Sequence, residues 1–394
     1  MKKGWATKTL GEVLQKTETV NPLQKPNAEF DYIDVSSVSN LTFQIEETQR
    51  LTGKDAPSRA RRLVKANDVI FATVRPTLQR IAIVPDSLND QVCSTGYLVL
   101  RPKSEIDHRF LFYSLFTQQF MGQMESLQKG ASYPAVTDGE VRSQLLSFPL
   151  LPEQRRIVGI LDEAFAGIAT AKANTEKNLQ NARALFESHL QAVFTQRGEG
   201  WVNAKLDDVC GFQNGFAFKS SSFRPSGCPI LRISNIQDGG VDTERLVFFD
   251  PRDYRENLDR YQIVEGDLLI AMSGATTGKL GFNSQNIVFY LNQRVGKFEP
   301  GKKLNKRFLY YFLSTKVEEN LRISAGAAQP NLSTEQIKGF VLPLPSVAEQ
   351  THLVSALEAL SAETQRLESL YQRKLAALDE LKKSLLHQAF SGEL

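Results

Sequence analysis

Apolar residues return at helical spacing along positions 153–196: Ile157, Leu161, Ala164, Ile168 and Ala171, then Leu179, Ala182, Phe186 and Val193. That periodicity predicts one amphipathic helix. The stretch holds no Pro, its interior glycines are Gly159 and Gly167, and Arg197-Gly198-Glu199-Gly200 ends it. At 1.5 Å per residue the helix would be about 65 Å long, too long to bury its stripe against one small domain. A second stretch, 349–390, has the same character and is predicted to pair with the first. Elsewhere the pattern is of short β-rich runs, at 31–35, 68–74, 81–84 and 97–100 and again at 230–233, 267–272 and 286–290, separated by Pro, Asn, Asp and Gly. Positions 110–119 and 306–315 read as amphipathic helices. Many short strands with few helices predict an α+β class rather than a doubly wound sheet.

The pattern is written twice. Gly4-Trp5 matches Gly200-Trp201, and Glu153-Gln154 matches Glu349-Gln350, both at an offset of 196. Between them Val35-Ser36-Ser37-Val38 matches Ile233-Ser234-Asn235-Ile236, and the run at 110–117 matches 308–315, at an offset of 198. Gly130-Ala131-Ser132-Tyr133-Pro134 matches Gly326-Ala327-Ala328-Gln329-Pro330, back at 196. Leu185, Ser188 and Phe194 are echoed by Leu381, Ser384 and Phe390. The conserved order and small drift indicate a tandem duplication. The expected organisation is a globular domain at 1–152, a long helix at 153–197, a second globular domain at 198–348 and a second long helix at 349–394. Pro-punctuated segments, 146–152 and 341–345, lead into the helices, and Pro152 suits a first helical turn. Ser346 and Glu349 have the spacing of a capping box, whereas the first copy has Leu150 in place of that serine.

Composition changes this picture little. A hydrophobic fraction of 41% and a charged fraction of 23% are those of a soluble globular protein, and a net charge of +3 permits nucleic-acid binding without arguing for it. No apolar run is long enough to span a bilayer, and no apolar segment follows Met1-Lys2-Lys3 as in a signal peptide; the expectation is a cytoplasmic protein without membrane contact. Three cysteines (Cys93, Cys210, Cys228) and four histidines show no metal-ligand spacing. His189 and His387 fall at equivalent helix positions and are expected at the seam or its rim. Gly274 to Leu280 looks like a phosphate loop but has three residues between its glycines instead of four, and Leu280 where Ser or Thr would ligate magnesium. No nucleophile motif is present, so no catalytic residue is assigned.

Nucleic-acid recognition needs cations for phosphates and forked or amide side chains for base edges. The first copy offers Arg59, Arg61 and Arg62, then Arg75, Thr77, Gln79 and Arg80 after a predicted strand, and Ser132 and Tyr133 in the Gly-Ala turn. The second offers Lys219, then Ser273, Thr276, Thr277 and Lys279, then Asn292, Gln293 and Arg294, and Gln329 and Asn331 in the equivalent turn. Equivalent loops thus share backbone cues and differ in polar side chains, as two domains reading different sequences would. A second reading, a coiled-coil scaffold whose repeated domains bind proteins, accounts for the helices but not for these loops.

With Leu151-Pro152-Glu153-Gln154-Arg155-Arg156-Ile157, the related Val347-Ala348-Glu349-Gln350, the two Gly-Ala-x-x-Pro turns, and 190–194 echoed at 386–390, the chain resembles the DNA-specificity subunit of type I restriction-modification systems over essentially its whole length. The second helix entry departs from the pattern, with Thr351-His352 in place of Arg155-Arg156. The resemblance implies two target-recognition domains, each reading one half of a bipartite asymmetric site in double-stranded DNA. It implies antiparallel helices that set the spacer and dock two methyltransferase subunits, with Glu153, Gln154, Arg155, Arg156, Glu349 and Gln350 as partner-contacting residues. Motor-nuclease subunits would join for restriction. S-adenosylmethionine, ATP and magnesium would be bound by those partners, and this chain would hold no cofactor and catalyse nothing.

Overall fold

The computed structural model describes residues 4–130, 132–196, 198–323 and 331–394, with backbone alone for 318–323. The chain divides into two compact units, one of Met1–Lys177 with Tyr371–Leu394 and one of Asn178–Leu370.

In the first unit the strand Ala6–Thr9 pairs antiparallel with Leu145–Phe148, so the start of the globular part is tied to the strand just before the long helix. A four-stranded sheet runs in the order Gln49–Thr52, Glu29–Ile33, Gln91–Ser94, Ala60–Val64, and a three-stranded sheet has Val69–Ala72 between Ile81–Ile83 and Tyr97–Leu100. All four residues of Val69–Ala72 are buried, which is why this strand reads as an unbroken apolar run rather than an alternating one. The helix His108–Ser114 starts at Asp107, whose carboxylate accepts from the amides of Arg109 and Phe110. The second unit repeats the plan: Val202–Lys205 pairs with Val341–Leu344, and the buried strand Leu268–Ala271 lies beside Val295–Pro300 and Leu280–Phe282.

The expected helix at 110–119 is two helices, His108–Ser114 and Gln118–Leu127, whereas its counterpart runs unbroken from Lys306 to Ile323. Thr117 makes the break: its hydroxyl accepts from the Phe120 amide and starts the next helix. Both hydroxyls also donate three residues back, Thr117 to the Ser114 carbonyl at 2.8 Å and the equivalent Thr315 to the Phe312 carbonyl at 2.7 Å, but Thr315 does so inside a continuous helix.

The long helices are Leu151–Thr195 and Val347–Ser391. Each begins in the core of its own copy and ends in the core of the other. In the first unit Ile157, Val158 and Leu161 of the first helix share a core with Leu386 and Ala389 of the second. In the second unit Leu190 and Phe194 meet Val354 and Leu357. Phe390 lies 4.8 Å from Phe110, and its repeat mate Phe194 lies 5.2 Å from Phe308, the repeat mate of Phe110. Phe110 and Phe308 are fully buried, a gain of about 1.5–3 kcal/mol each. Within each unit the helix segments run antiparallel: Lys172 pairs with Asp379 and Arg156 donates to the Leu394 carbonyl in the first, and Arg183 pairs with Glu368 in the second.

The entries to the long helices differ from the expected surface role. Gln154 and Gln350 are fully buried. The Gln154 side-chain amide donates to the carbonyls of Glu105 and Pro149 and accepts from the Asp107 amide; Gln350 donates to Lys303 and Pro345 and accepts from Asn305. These two glutamines are therefore internal clamps, and the expectation that they touch a partner is corrected: their polar atoms are already bonded inside. Ser346 accepts from the Glu349 amide at 3.3 Å, while the Glu349 carboxylate accepts from the Trp201 indole at 2.8 Å, so the expected capping box is realised in its serine half. Among the described residues no helix is long and apolar enough to cross a membrane.

Candidate nucleic-acid interface

The candidate loops grow from the buried central strand of each copy. In the first, the chain leaving Val69–Ala72 makes a 3-10 turn at Pro76–Leu78 flanked by Arg75 (φ 49°) and Gln79 (φ 54°), both left-handed. Such non-glycine conformations are costly and persist where the surroundings impose them. Here the surroundings are the 130–135 turn. The Arg75 amide donates to the Pro134 carbonyl at 2.7 Å, the Val136 amide donates to the Thr73 carbonyl, and the Arg75 guanidinium lies 5.3 Å from the Tyr133 ring centre and reaches the Ser132 carbonyl. Gly130 (φ 104°) opens the turn, and a Cβ there would meet the Tyr133 carbonyl at 2.8 Å. Two stretches more than fifty residues apart thus form one exposed ledge carrying Arg75, Thr77, Ser132 and Tyr133.

The second copy repeats the stitching with different side chains. Ser273 bridges Asn331 as Val74 bridges Ala135, and the Leu332 amide donates to the Met272 carbonyl as Val136 does to Thr73. Likewise the Met272 amide donates to the Arg294 carbonyl as Thr73 does to Gly96. The loop after the strand carries Ser273, Thr276, Thr277 and Lys279, and the turn beside it carries Asn292, with Gln293 and Arg294 exposed. Gly215 lies under this turn; a Cβ there would meet the Asn292 carbonyl at 2.0 Å, so a side chain would push the turn away. Asn331 is exposed, and Gln329 lies outside the described residues.

Several expected contact residues are occupied internally. Arg80 donates to the carbonyls of Val35, Ser36 and Val38 and braces that turn. Its counterpart Lys279 donates to the Gln237 side chain at 2.9 Å, and Thr276 donates to the Ile233 carbonyl. Thr277 is buried and donates to the Gly274 carbonyl. Arg62 pairs with Asp138 at 2.8 Å and Arg61 donates to Asn21, leaving Arg59 the exposed member of that trio. Lys219 is exposed, its backbone amide held by the Tyr254 hydroxyl. On the helices, Arg155 is exposed and 3.9 Å from Asp107, and Arg156 pairs with Glu153. The Arg156 guanidinium holds the Glu153 carboxyl below its ordinary value. His189 and His387 are exposed.

A second anchor, not read from the sequence, holds the loop that follows the Arg80-braced turn. Phe43 (φ 57°) packs edge-on to Phe116, and the Lys382 ammonium lies between Phe43 and Phe165, at 4.9 and 5.2 Å from their centres. Burial pushes the Lys382 ammonium down from its ordinary value, with Lys172 adding to the effect. Lys382 therefore fastens the loop after the Arg80-braced turn to the second helix. A lone phenylalanine in a polar loop was the available signal. Among the described residues no group of three or more His, Cys, Asp or Glu is arranged to hold a metal ion.

A family model for the type I restriction modification DNA specificity domain matches residues 2–181 and 198–375. The chain is similar to the type I restriction enzyme MjaVIII specificity subunit of Methanocaldococcus jannaschii, 26% identical over 323 residues that cover 77% of this chain and 74% of that one. It is similar to the EcoKI specificity subunit of Escherichia coli K12, 26% identical over 326 residues, 77% of this chain and 69% of that one. A chain solved in work on complex assembly and conformational transition of the type I R-M system matches with a TM-score of 0.87 and 28% identity, covering 100% and 99% of the two chains. The HsdS subunit from Thermoanaerobacter tengcongensis matches at 0.73 and 27%, covering 100% and 98%.

Proposed function

The chain belongs to the type I restriction modification DNA specificity family, and from that premise we propose that it is the sequence-reading subunit of a type I restriction-modification complex. The globular parts at 1–152 and 198–348 each read one half of a bipartite, asymmetric site in duplex DNA. The observation that carries this reading is the repeated stitching: the same main-chain bonds, Val136 to Thr73 and Leu332 to Met272, hold equivalent ledges whose polar side chains differ. A rigid scaffold with exchanged side chains suits recognition of different base edges by equivalent loops.

Arg75, Thr77, Gln79, Ser132 and Tyr133 serve the first half-site, with Arg59 toward phosphate. Ser273, Asn292, Gln293, Arg294 and Asn331 serve the second, with Lys219 toward phosphate. Arg61, Arg62, Arg80, Thr276, Thr277 and Lys279 hold those ledges in shape. The long helices set the unspecified spacer and dock two methyltransferase subunits through Glu153, Arg155, Arg156 and Glu349; motor-nuclease subunits complete the restriction complex. S-adenosylmethionine, ATP and magnesium belong to those partners, and the chain supplies recognition rather than chemistry.

The test is equilibrium binding of the purified chain to randomised duplex DNA across a salt series. Affinity should fall steeply as salt rises, because phosphate neutralisation releases counterions, and repeated selection should enrich two fixed blocks. Salt-independent binding, or no enrichment, would overturn the reading.

A further inference from the structure

We propose that Arg232 is a specificity-determining residue of the second recognition domain, offering its guanidinium to a base edge of the second half-site. The inference rests on the DNA-reading function above and adds a residue that the sequence pattern did not single out.

Arg232 opens the 3-10 turn Ile233–Asn235. Its backbone is fixed from several sides. The Arg232 amide donates to the Asn235 side chain at 3.0 Å, and the Thr276 hydroxyl holds the Ile233 carbonyl at 2.9 Å. One residue earlier, the Leu231 carbonyl accepts from the Asn292 amide. Residue 232 therefore sits between the 273–279 loop and the 292–294 turn, next to Asn292 and near Gln293 and Arg294.

Among the described residues the Arg232 guanidinium makes no ion pair. Arg232 is half-buried, its Nε is buried, and among the described residues that Nε has no hydrogen-bond partner. Three other arginines that are not fully exposed or lie in ion-pair clusters are occupied: Arg62 by Asp138, Arg101 by Asp68 and Glu18, and Arg224 by Asp250 and Asp253. A buried N–H without an acceptor is costly, and a guanidinium fork matches the O6 and N7 acceptors of guanine in the major groove.

A phosphate contact would use the same guanidinium, but the repeat argues for a base. Phosphate contacts position a reader and carry no sequence information, and each copy already offers its own exposed cation for them, Arg59 in the first and Lys219 in the second. The first copy has Asp34 at the position of Arg232 and Gly96 at that of Arg294. The backbone bonds are shared: the Asp34 amide donates to Ser37 as Arg232 does to Asn235, and Thr73 donates to the Gly96 carbonyl as Met272 does to Arg294. The Asp34 carboxylate is folded onto its own surroundings by the hydroxyls of Tyr32 and Ser36. A guanidinium that is unpaired among the described residues in one copy, where the other has a carboxylate, on a scaffold shared by both, is what a half-site-specific contact requires.

The test uses the full-length chain. The motif selected by the wild type supplies a duplex and its single-base-pair variants, and fluorescence anisotropy gives affinities for wild type, Arg232→Ala and Arg232→Gln. The expected result is loss of discrimination at one guanine-containing pair of the second half-site, by roughly 5- to 150-fold, with first half-site discrimination and the salt slope unchanged. Retained first half-site discrimination also reports that the variant is folded, and the glutamine variant replaces the alanine one if the latter is not. Equal weakening on all duplexes with a shallower salt slope would mean a phosphate contact and overturn the proposal; so would unchanged discrimination. If the wild type selects no motif, the DNA-reading function fails instead.

Discussion

Arg75 and Arg80 stand five residues apart on one loop and are chemically alike, yet the fold uses them differently. Arg75 is exposed on the ledge beside Tyr133, whereas three carbonyls of the 35–38 turn take up Arg80. We predict that Arg75→Ala costs about 1–3 kcal/mol at one base pair of the first half-site and leaves thermal stability near wild type. Arg80→Ala should lower the melting temperature, because lost hydrogen bonds from a charged donor cost about 1.5–3 kcal/mol, and should weaken the whole first half-site without relaxing one position. Binding to single-pair variants, measured beside thermal unfolding, separates the two roles; identical profiles would contradict the assignment. The sequence made both arginines candidates because a one-dimensional pattern shows donors and not whether the fold already occupies them. Arg232 escaped notice for the same reason: what marks it is the acceptor it lacks, and that appears once its neighbours are in place.

Among the elements, the long helices were the most legible, because an apolar stripe over some forty residues leaves little alternative. The strands Ala6–Thr9 and Val202–Lys205 were not read at all. They pair with Leu145–Phe148 and Val341–Leu344, far along the chain, and their own burial patterns give no clean alternation. The Glu-Gln entries were visible as a repeat and were expected, through the family resemblance, to touch a partner, whereas the glutamines close the helix entries from within. Gln154→Ala would leave the Asp107 amide and the carbonyls of Glu105 and Pro149 without their partner. The expected cost is about 1–3 kcal/mol, read as a lower denaturant midpoint, and Gln350→Ala should cost a similar amount. Wild-type stability for both would show that these amides are dispensable.

At the scale of the whole molecule, the duplication and the α+β class were legible because related motifs recur in order. The crossing of each helix from one core into the other was visible only as matching end residues, Phe194 and Phe390; their aromatic partners Phe308 and Phe110 emerged with the fold. This crossing sharpens the spacer proposal. Lys172–Asp379 and Arg183–Glu368 mark the antiparallel register within the two units, so an insertion in one helix alone would shift one of them. Paired four-residue insertions, one between Asn174 and Asn178 and one between Glu368 and Asp379, should preserve both. Each adds about 6 Å, and with base pairs rising about 3.4 Å the spacer should lengthen by one or two base pairs while both half-site sequences stay the same. A methylation motif with an unchanged spacer in cells carrying a fully active variant would contradict the proposal.

The central claim is that each copy reads its own half-site through its own ledge. Its most direct measurement is the motif selected from randomised duplexes by the full-length wild type and by a variant carrying Arg75→Ala and Gln79→Ala. The account predicts two fixed blocks separated by unspecified bases for the wild type. For the variant it predicts one relaxed block, with the other block and the spacer unchanged. A single continuous block, relaxation of both blocks together, or an unaltered motif in the variant would contradict it.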